Sequence, residues 1–536
     1  MITDLNELPQ DQHLSTDVCI VGAGAAGVAL ARQLSRKGVS VCLLEGGGLD
    51  YERDTQSLYD GQNLGMTYYD LEDARLRFFG GTTNIWGGRC ALLDPLDFSA
   101  RSWVAHSGWP IDCAELAPYL GRVHEDLGLE EVCYGPEMWD ELRETPPAFA
   151  PETLTTRFWR FDDLKERFSV RRCEDVVGDD NVQVLLHANV TRIQAAANAA
   201  SIDHVQVQSL QGVRARVTGR HYVLACGGIE NARLLLACDD VEHHGIGNAH
   251  DQVGRYFMEH PQGRAGRLSG SGAFALWAAF RKRFRSGKPD IAPVILASEA
   301  AQQREGILNT AMTIKLQRDP GRGVPWTRQI YQSLKHGMAP TRRGRGLWHF
   351  YRVSRSAAQR ALRMPVEWVR SRLGYTGVYF MIRGEQAPNP DSRVVLSQQR
   401  DVLGMPKADL HWQLSAIDKH TVRAMVRMLD DELTRLGIGA VRASDWLNES
   451  GDAWPVDPTV GNHHIGGYHH MGATRMSADP RTGVVDSDCR VHGYANLYIA
   501  GSSVFATAGW ANPTLTILAL ARRLGDHLHA VLGKGL

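Results

Sequence analysis

Residues 17–45 decide the fold: they run Asp17-Val-Cys-Ile-Val-Gly-Ala-Gly-Ala-Ala-Gly27, continue to Lys37, and close with Gly38-Val-Ser-Val-Cys-Leu-Leu-Glu45. Residues 17–21 and 38–44 are short, apolar and rich in valine and isoleucine, which indicates two buried strands. The stretch between them, 25–37, has helical composition. A strand, a helix and a second strand in this order predict a parallel sheet.

The turn between the first strand and the helix carries three glycines. Gly22 permits a tight turn, Gly24 lets the backbone approach a pyrophosphate, and Gly27 lets the helix pack on the sheet. Phosphates bind at such a helix start because its N–H groups and its dipole favour negative charge. Glu45 ends the second strand, where it is placed to bond an adenosine ribose and to repel a 2′-phosphate. The segment therefore predicts a dinucleotide site for FAD or NAD.

Later segments add to this sheet. Residues 220–225 and 496–500 indicate buried strands that run into glycine, and a closing helix begins near Asn512. A sheet completed by the far C-terminus suits the long FAD molecule. We predict an α/β fold: a Rossmann-like FAD-binding domain assembled from both chain ends, with an inserted α+β substrate-binding domain that contains an antiparallel sheet. The expected parts are 1–105, 181–260 and 469–536 for the FAD domain, 106–180 for a mixed lid or substrate segment, and 261–468 for the substrate domain.

Composition limits the function classes. A length of 536 residues exceeds one hydrophobic core, and the net charge of −1 argues against nucleic-acid binding. Nine cysteines without any Cys-x-x-Cys pair argue against a disulfide framework, an iron–sulfur cluster or a zinc site. The polar, acidic N-terminus is unlike a signal peptide, and the first apolar run is interrupted by glycines. We therefore expect a cytoplasmic location.

One stretch, residues 315–372, is strongly basic. It holds 14 lysines and arginines against Asp319 and Glu367, with interleaved aromatic residues such as Trp348 and Trp368. The favoured interpretation is a solvated helical face on the second domain. Peripheral contact with a membrane, or an anionic docking patch, is the less favoured alternative.

Six blocks in the chain resemble the glucose–methanol–choline (GMC) family of FAD oxidoreductases. The blocks are the N-terminal glycine turn, Phe79–Gly88, Val223–Arg233, Gly254–Pro261, Tyr468–Met476, and Asn496–Ser502 with Ala511–Leu515. Within the family, the His-x-x-Gly and Asn-Pro pattern is similar to pyranose oxidase and to sugar and glycoside dehydrogenases. The resemblance leaves residues 265–375 uncovered.

The resemblance implies an FAD-dependent oxidation of a secondary hydroxyl in a sugar, glycoside or similar polyol. The hydride goes to flavin N5, His469 takes the proton, and Asn512 holds the hydroxyl. Ile85 stands where pyranose oxidases commonly have a flavin-linked histidine, so non-covalent FAD is expected. The residues expected to bind the cofactor are Gly22, Gly24, Ala25, Ala26, Gly27, Glu45, Gly81, Thr82, Asn84, Trp86, Gly87, Val190, Ala225, Gly501 and Ser502.

Alternatives stay open at this point. His470 is the reserve choice for the base, and a metal site at His463, His464, His469 and His470 is disfavoured because no acidic or thiol ligand is near in sequence. The competing functions are an FAD-containing lyase of the same fold, a sterol or simple-alcohol oxidase, and a membrane-surface partner protein. The electron acceptor is oxygen, a quinone or a redox protein.

Overall fold

The computed structural model describes residues 1–162, 164, 166–318, 341–460 and 465–533. The strands are β1 Ile2–Asp4, β2 Gln12–Val21, β3 Val41–Leu44, β4 Arg89–Cys90, β5 Leu154–Phe161, β6 Val182–Leu186, β7 Asn189–Ala195, β8 Ile202–Gln208, β9 Arg214–Leu224, β10 Gln262–Ser269, β11 Asp290–Ala297, β12 Ala311–Gln317, β13 Gly377–Arg383, β14 Arg393–Arg400, β15 Pro406–His411, β16 Ala440–Ala443 and β17 Leu497–Ile499. The helices are α1 Ala25–Ser35, α2 Arg53–Gln56, α3 Pro95–Phe98, α4 Ala117–Leu127, α5 Met138–Leu142, α6 Glu174–Val177, α7 Gly227–Ala237, α8 Ala273–Ala279, α9 Glu299–Glu305, α10 Arg342–Arg372, α11 Ala416–Arg435 and α12 Thr514–Gly533.

The first sheet joins the two ends of the chain. Its strand order is β1-β6-β3-β2-β9-β8-β7, with β17 also paired to β9. Strands β1, β6, β3, β2, β9 and β17 pair in parallel, whereas β8 and β7 are antiparallel additions. Helix α1 packs against the C-terminal helix α12. The Rossmann-like sheet built from both chain ends is therefore confirmed.

Close packing at the first turn explains two of its glycines. Gly22 has φ +105°, a backbone conformation that L side chains rarely adopt. A Cβ on Gly27 would lie 1.9 Å from the carbonyl oxygen of Gly22, so only glycine lets α1 lie against the turn. The core of β2 is fully buried at Val18, Cys19 and Ile20, as expected for a strand inside a parallel sheet.

The second sheet is antiparallel, in the order β16-β10-β13-β12-β11-β5-β4. Its central strand β13 pairs with β10 and β12, and helix α11 packs on β10 and β16. The predicted antiparallel sheet is confirmed. Strands β4 and β5 join it from the chain before residue 181, and β14 and β15 form a separate two-stranded sheet.

Residues 342–372 of the basic stretch form helix α10, residues 315–317 end strand β12, and residues 319–340 lie outside the described part of the chain. Among described residues, α10 and the turn after it expose nine large apolar side chains: Leu347, Phe350, Tyr351, Val353, Val366, Trp368, Val369, Leu373 and Tyr375. What this face contacts stays a prediction. Across the described residues, the structure contains no helix with the length and apolar character needed to cross a bilayer.

Candidate active site

Two distant segments bring His469 and Asn512 together. His469 lies in the irregular segment before β17, and Asn512 stands two residues before α12. The amide Nδ2 of Asn512 lies 3.1 Å from Nε2 of the half-buried His469. The amide is therefore engaged with the imidazole that sequence reasoning paired with it, and their roles in catalysis stay a prediction.

The carboxylate of Glu259 holds the backbone that carries His469. Glu259 is fully buried, and burial raises its pKa. It accepts hydrogen bonds of 3.0 Å from the backbone N–H groups of Gly467 and His469, and one of 2.6 Å from the Tyr68 hydroxyl. These bonds fix the loop at the position from which the imidazole projects.

A second histidine determines the tautomer of His469. Nε2 of His260 lies 2.8 Å from the carbonyl oxygen of Gly509, and a carbonyl only accepts, so His260 Nε2 carries a proton. Burial lowers the pKa of His260 to about 4, so its Nδ1 holds a lone pair at neutral pH. That Nδ1 lies 2.7 Å from His469 Nδ1, which must donate. Nε2 of His469 is thereby the acceptor that receives the Asn512 amide.

His470 points elsewhere. It is 8% exposed, burial lowers its pKa to about 3, and its Nε2 lies 3.0 Å from the Tyr68 hydroxyl. Because Tyr68 donates its proton to Glu259, His470 must donate to Tyr68. This bond turns Nε2 of His470 toward the tyrosine, which favours His469 over the reserve candidate.

The glycine turn leaves room for a dinucleotide. Gly24 caps the start of α1, and a Cβ placed there would meet no protein atom within 4 Å. The same holds for Gly87, Gly227 and Gly501, while a Cβ on Gly81 would first meet Gly24, 3.5 Å away. Open space over several glycines at a helix start is what bound FAD needs. Ala25 and Ala26 form the first residues of that helix.

Glu45 lies at the expected position but is engaged with the turn itself. It is 6% exposed and accepts hydrogen bonds from the backbone N–H groups of Ala23 at 3.1 Å and Gly47 at 3.0 Å. Burial raises its pKa. The backbone N–H of Ala188 donates to the Glu45 carbonyl, and the buried Val190 follows two residues later. A role for either residue at the adenosine stays a prediction.

The loop of residues 79–88 is braced by its own side chains. Asn84 donates to the carbonyls of Phe79 at 2.9 Å and Gly81 at 3.1 Å, and Thr82 accepts from the Leu76 N–H at 3.1 Å. Ile85 and Trp86 are half-buried and Gly87 is exposed. The two polar side chains thus shape the loop, and any contact with the flavin stays a prediction.

The last two predicted cofactor positions lie where parallel strands end. Ala225 follows β9 and donates its N–H to the Val21 carbonyl at 2.7 Å. Ser502 follows β17 and Gly501, and its hydroxyl donates 2.6 Å to the carbonyl of His470. These positions adjoin the first turn and the histidine loop, as expected for the carboxyl edge of a parallel sheet.

Sequence reasoning missed three residues of the site. Glu259 and His260 stand in a quoted family block, but nothing in their spacing assigned them a role. Tyr68 lies outside every block, so no signal identified it. His463 and His464, which belong to the disfavoured metal site, lie outside the described residues. Among the residues that the structure describes, no three or more His, Cys, Asp or Glu side chains form a group that could hold a metal ion.

Comparison with known proteins places these features in context. The family model "FAD dependent oxidoreductase" matches residues 17–245, and the model "GMC oxidoreductase" (C-terminal) matches residues 388–521. The fructose dehydrogenase large subunit of Gluconobacter japonicus is 24% identical, over 98% of this chain and 100% of that protein. The paromamine 6'-oxidase of Streptomyces fradiae is 25% identical, over 96% of this chain and 91% of that protein.

A solved structure supports the fold. Pyridoxine 4-oxidase from Mesorbium loti superposes with a TM-score of 0.52 at 16% identity, covering 96% of this chain and 99% of that one. At this identity the likeness shows the architecture alone.

Proposed function

The chain belongs to the GMC family of FAD-dependent oxidoreductases, and from that premise we propose that it oxidises a secondary hydroxyl of a sugar, glycoside or similar polyol to a ketone. The observation that carries this proposal is the pair His469 Nε2 and Asn512 Nδ2, 3.1 Å apart. A substrate hydroxyl replaces this direct bond: it donates its proton to His469 Nε2, while its oxygen accepts from the Asn512 amide. The substrate oxygen then has one fixed position.

The proton has a defined destination. Nδ1 of His469 donates to His260 and its Nε2 accepts from the Asn512 amide, so Nε2 presents a lone pair and takes the hydroxyl proton as the general base. Once protonated, the imidazolium keeps its Nδ1–H bond to the neutral His260 and lies near the buried Glu259, whose negative charge stabilises it. FAD, held at the glycine turn and the 79–88 loop, supplies the hydride acceptor when bound.

The hydroxyl is selected by direction as well as by chemistry. A base and an amide donor that converge on one oxygen suit a substrate with several hydroxyls, because only the one seated between them loses its proton. Similarity to fructose dehydrogenase and paromamine oxidase supports a sugar-like substrate. The electron acceptor is oxygen, a quinone or a redox protein.

We propose that FAD is bound without a covalent link, because Ile85 offers no nucleophile at the position where pyranose oxidases commonly have a flavin-linked histidine. Precipitation with acid tests this. Yellow flavin in the supernatant is the expected result, and colour that stays with the pellet contradicts it.

Anaerobic mixing tests the function. Sugars, glycosides, sterols and simple alcohols are each added to the oxidised enzyme while the flavin absorbance is followed. We expect sugars or glycosides to bleach the flavin, and the product to be a ketone at a ring carbon. Bleaching by sterols or primary alcohols alone would contradict the substrate class, and no bleaching by any alcohol would contradict oxidation itself.

A further inference from the structure

Arg383 is a buried charged residue near His260, the hydrogen-bond partner of His469. It ends β13, where its backbone is in register with Gln262, two residues beyond His260. Its side chain is 8% exposed. The backbone N–H of Gly384 donates to the carbonyl of Pro261 at 3.0 Å, so the end of β13 lies beside the residue that follows His260. The charge of Arg383, after burial, contributes to lowering the pKa of His260.

The guanidinium has no protein acceptor among the described residues. It makes neither a hydrogen bond nor an ion pair there, and its one recorded contact is with the ring of Trp159, 5.4 Å from the centroid. Burial lowers the pKa of Arg383 and the negative charge of Glu259 raises it, but the carboxylate oxygens of Glu259 accept hydrogen bonds from Tyr68 and from backbone N–H groups instead. A largely buried guanidinium that has five N–H donors and no acceptor in the described structure is costly, so its position favours a function other than stability.

The surroundings of Arg383 are also rich in donors. The indole N–H of Trp159 is buried without a partner in the described structure. Arg89 places a second guanidinium 5.5 Å from the same ring, and its charge, after burial, lowers the pKa of Arg383. The guanidinium of Arg383 and the indole N–H of Trp159 thus lie together without an acceptor in the described structure, and they favour a ligand that brings negative oxygen atoms.

The cluster adjoins the reacting position. The ring of Trp159 packs 6.0 Å from that of Trp510, which precedes Asn512 by two residues. Arg383 is therefore linked to both halves of the proposed pair, to His469 through His260 and to Asn512 through Trp159 and Trp510. A sugar substrate whose reacting hydroxyl lies at His469 meets Arg383 and Trp159 if the rest of the sugar points toward the antiparallel sheet.

We propose that Arg383, with the Trp159 indole N–H, binds a carboxylate on the substrate, so that the enzyme acts on acidic sugars or glycosides such as uronides. This inference rests on the proposed function and narrows its substrate class. The guanidinium matches a carboxylate with two parallel N–H bonds, which a hydroxymethyl group cannot provide. The same charge disfavours amino sugars.

Three methyl β-glycosides test the proposal, because they differ in charge: glucoside, glucuronide and glucosaminide. Their apparent dissociation constants are measured from anaerobic flavin reduction, or from the flavin difference spectrum where no reduction occurs. We expect the wild type to bind the glucuronide at least ~10-fold more tightly than the glucoside, and the glucosaminide most weakly. Equal binding of glucoside and glucuronide, or preference for the glucosaminide, overturns the proposal even before any mutation.

Substitution locates the effect. Arg383→Gln keeps amide donors but removes the charge, and should weaken glucuronide binding ~10–100-fold while the glucoside changes less than ~3-fold. Arg383→Lys should retain part of the preference. Arg442→Gln, at a highly exposed arginine on β16 of the same sheet, is the matched control and should change nothing.

The acceptor could instead be a carbonyl of the flavin, and a separate measurement distinguishes this source. If Arg383 binds the substrate, Arg383→Gln leaves the visible flavin spectrum and the affinity for sulfite unchanged. Altered sulfite affinity with no charge preference among the glycosides overturns the proposal in favour of the flavin. If neutral sugars bleach the flavin and no preference for the glucuronide is seen, the carboxylate inference is wrong and the proposed function stands. If no alcohol bleaches the flavin, the proposed function itself is contradicted.

Discussion

Two neighbouring groups of side chains in the candidate site, one around His469 and one around Arg383, differ in how fully their polar atoms are hydrogen-bonded. Around His469, each recorded polar contact is part of a connected set that runs from the Gly509 carbonyl through His260 to Asn512. Around Arg383, the guanidinium makes no hydrogen bond within the described structure and rests on Trp159. A network completed by the protein fixes a reactive atom in advance, whereas donors left without acceptors are suited to a ligand. This difference supports the proposal that the first group carries out the chemistry and the second selects the substrate.

Both groups depend on bound FAD, so the largest expected effect is its loss. A Cβ at Gly24 meets no protein atom within 4 Å, and the backbone there needs no positive φ. Gly24→Val should therefore fold but occupy the space that the pyrophosphate requires, leaving a colourless protein. Flavin content and thermal unfolding are measured together. A folded Gly24→Val protein with full flavin content would contradict the assignment of the glycine turn as the pyrophosphate site.

Removal of the amide tests the completed network. Asn512→Ala deletes the donor to the substrate oxygen, and flavin reduction should slow by about 10–100-fold, the worth of a hydrogen bond to a developing charge. Stopped-flow reduction under anaerobic conditions measures it. Asn512→Asp serves as the control of similar size that cannot donate when ionised. Equal rates in the wild type and in Asn512→Ala would remove the amide from the chemistry.

His260 should act through its neighbour. His260→Phe removes the acceptor for His469 Nδ1–H, which should slow flavin reduction about 10-fold and shift the pH dependence of that rate. The shift is the informative readout, because lost packing alone would not move it. His221→Phe, at a buried histidine on β9, is the matched control and should leave the profile in place. A slower rate with an unshifted profile would make His260 merely structural.

Acidification should affect the two groups differently. His260 and His470 have folded pKa values lowered by burial to about 4 and about 3, below the unfolded value of about 6.5. The unfolded chain thus binds more protons below pH 6.5, and the free energy of unfolding should fall by about 2 kcal/mol for each histidine at pH 5 relative to pH 7. A guanidinium does not titrate in this range, so Arg383 contributes nothing to this change.

Urea unfolding at the two pH values measures this difference. His470→Gln should reduce the acid-induced loss of stability by about 2 kcal/mol, and Arg383→Gln should leave that loss unchanged. If the His470→Gln variant loses as much stability on acidification as the wild type, the histidine is not held neutral in the fold.

Sequence patterns revealed the first group far better than the second. The glycine turn and the pair His469 and Asn512 stand in motifs whose spacing encodes a backbone geometry, so strand, helix and loop positions followed from them. The sheet order and the tautomer of His469 did not follow, because both depend on contacts between distant segments: strand pairing for the first, and the bond of His260 to the Gly509 carbonyl for the second. Arg383 stands in none of the motifs. Its burial without an acceptor in the described part of the chain is a property of packing between strands, which no local spacing reports.

The central claim is that Nε2 of His469 receives the hydroxyl proton, and its most direct test is anaerobic flavin reduction in His469→Ala, with and without added imidazole. We predict a rate about 10²–10⁴-fold below the wild type, partial recovery with imidazole, and unchanged flavin content. His470→Ala is measured beside it and should retain most of its rate. If His469→Ala reduces its flavin at the wild-type rate while His470→Ala does not, the assignment of the base is wrong.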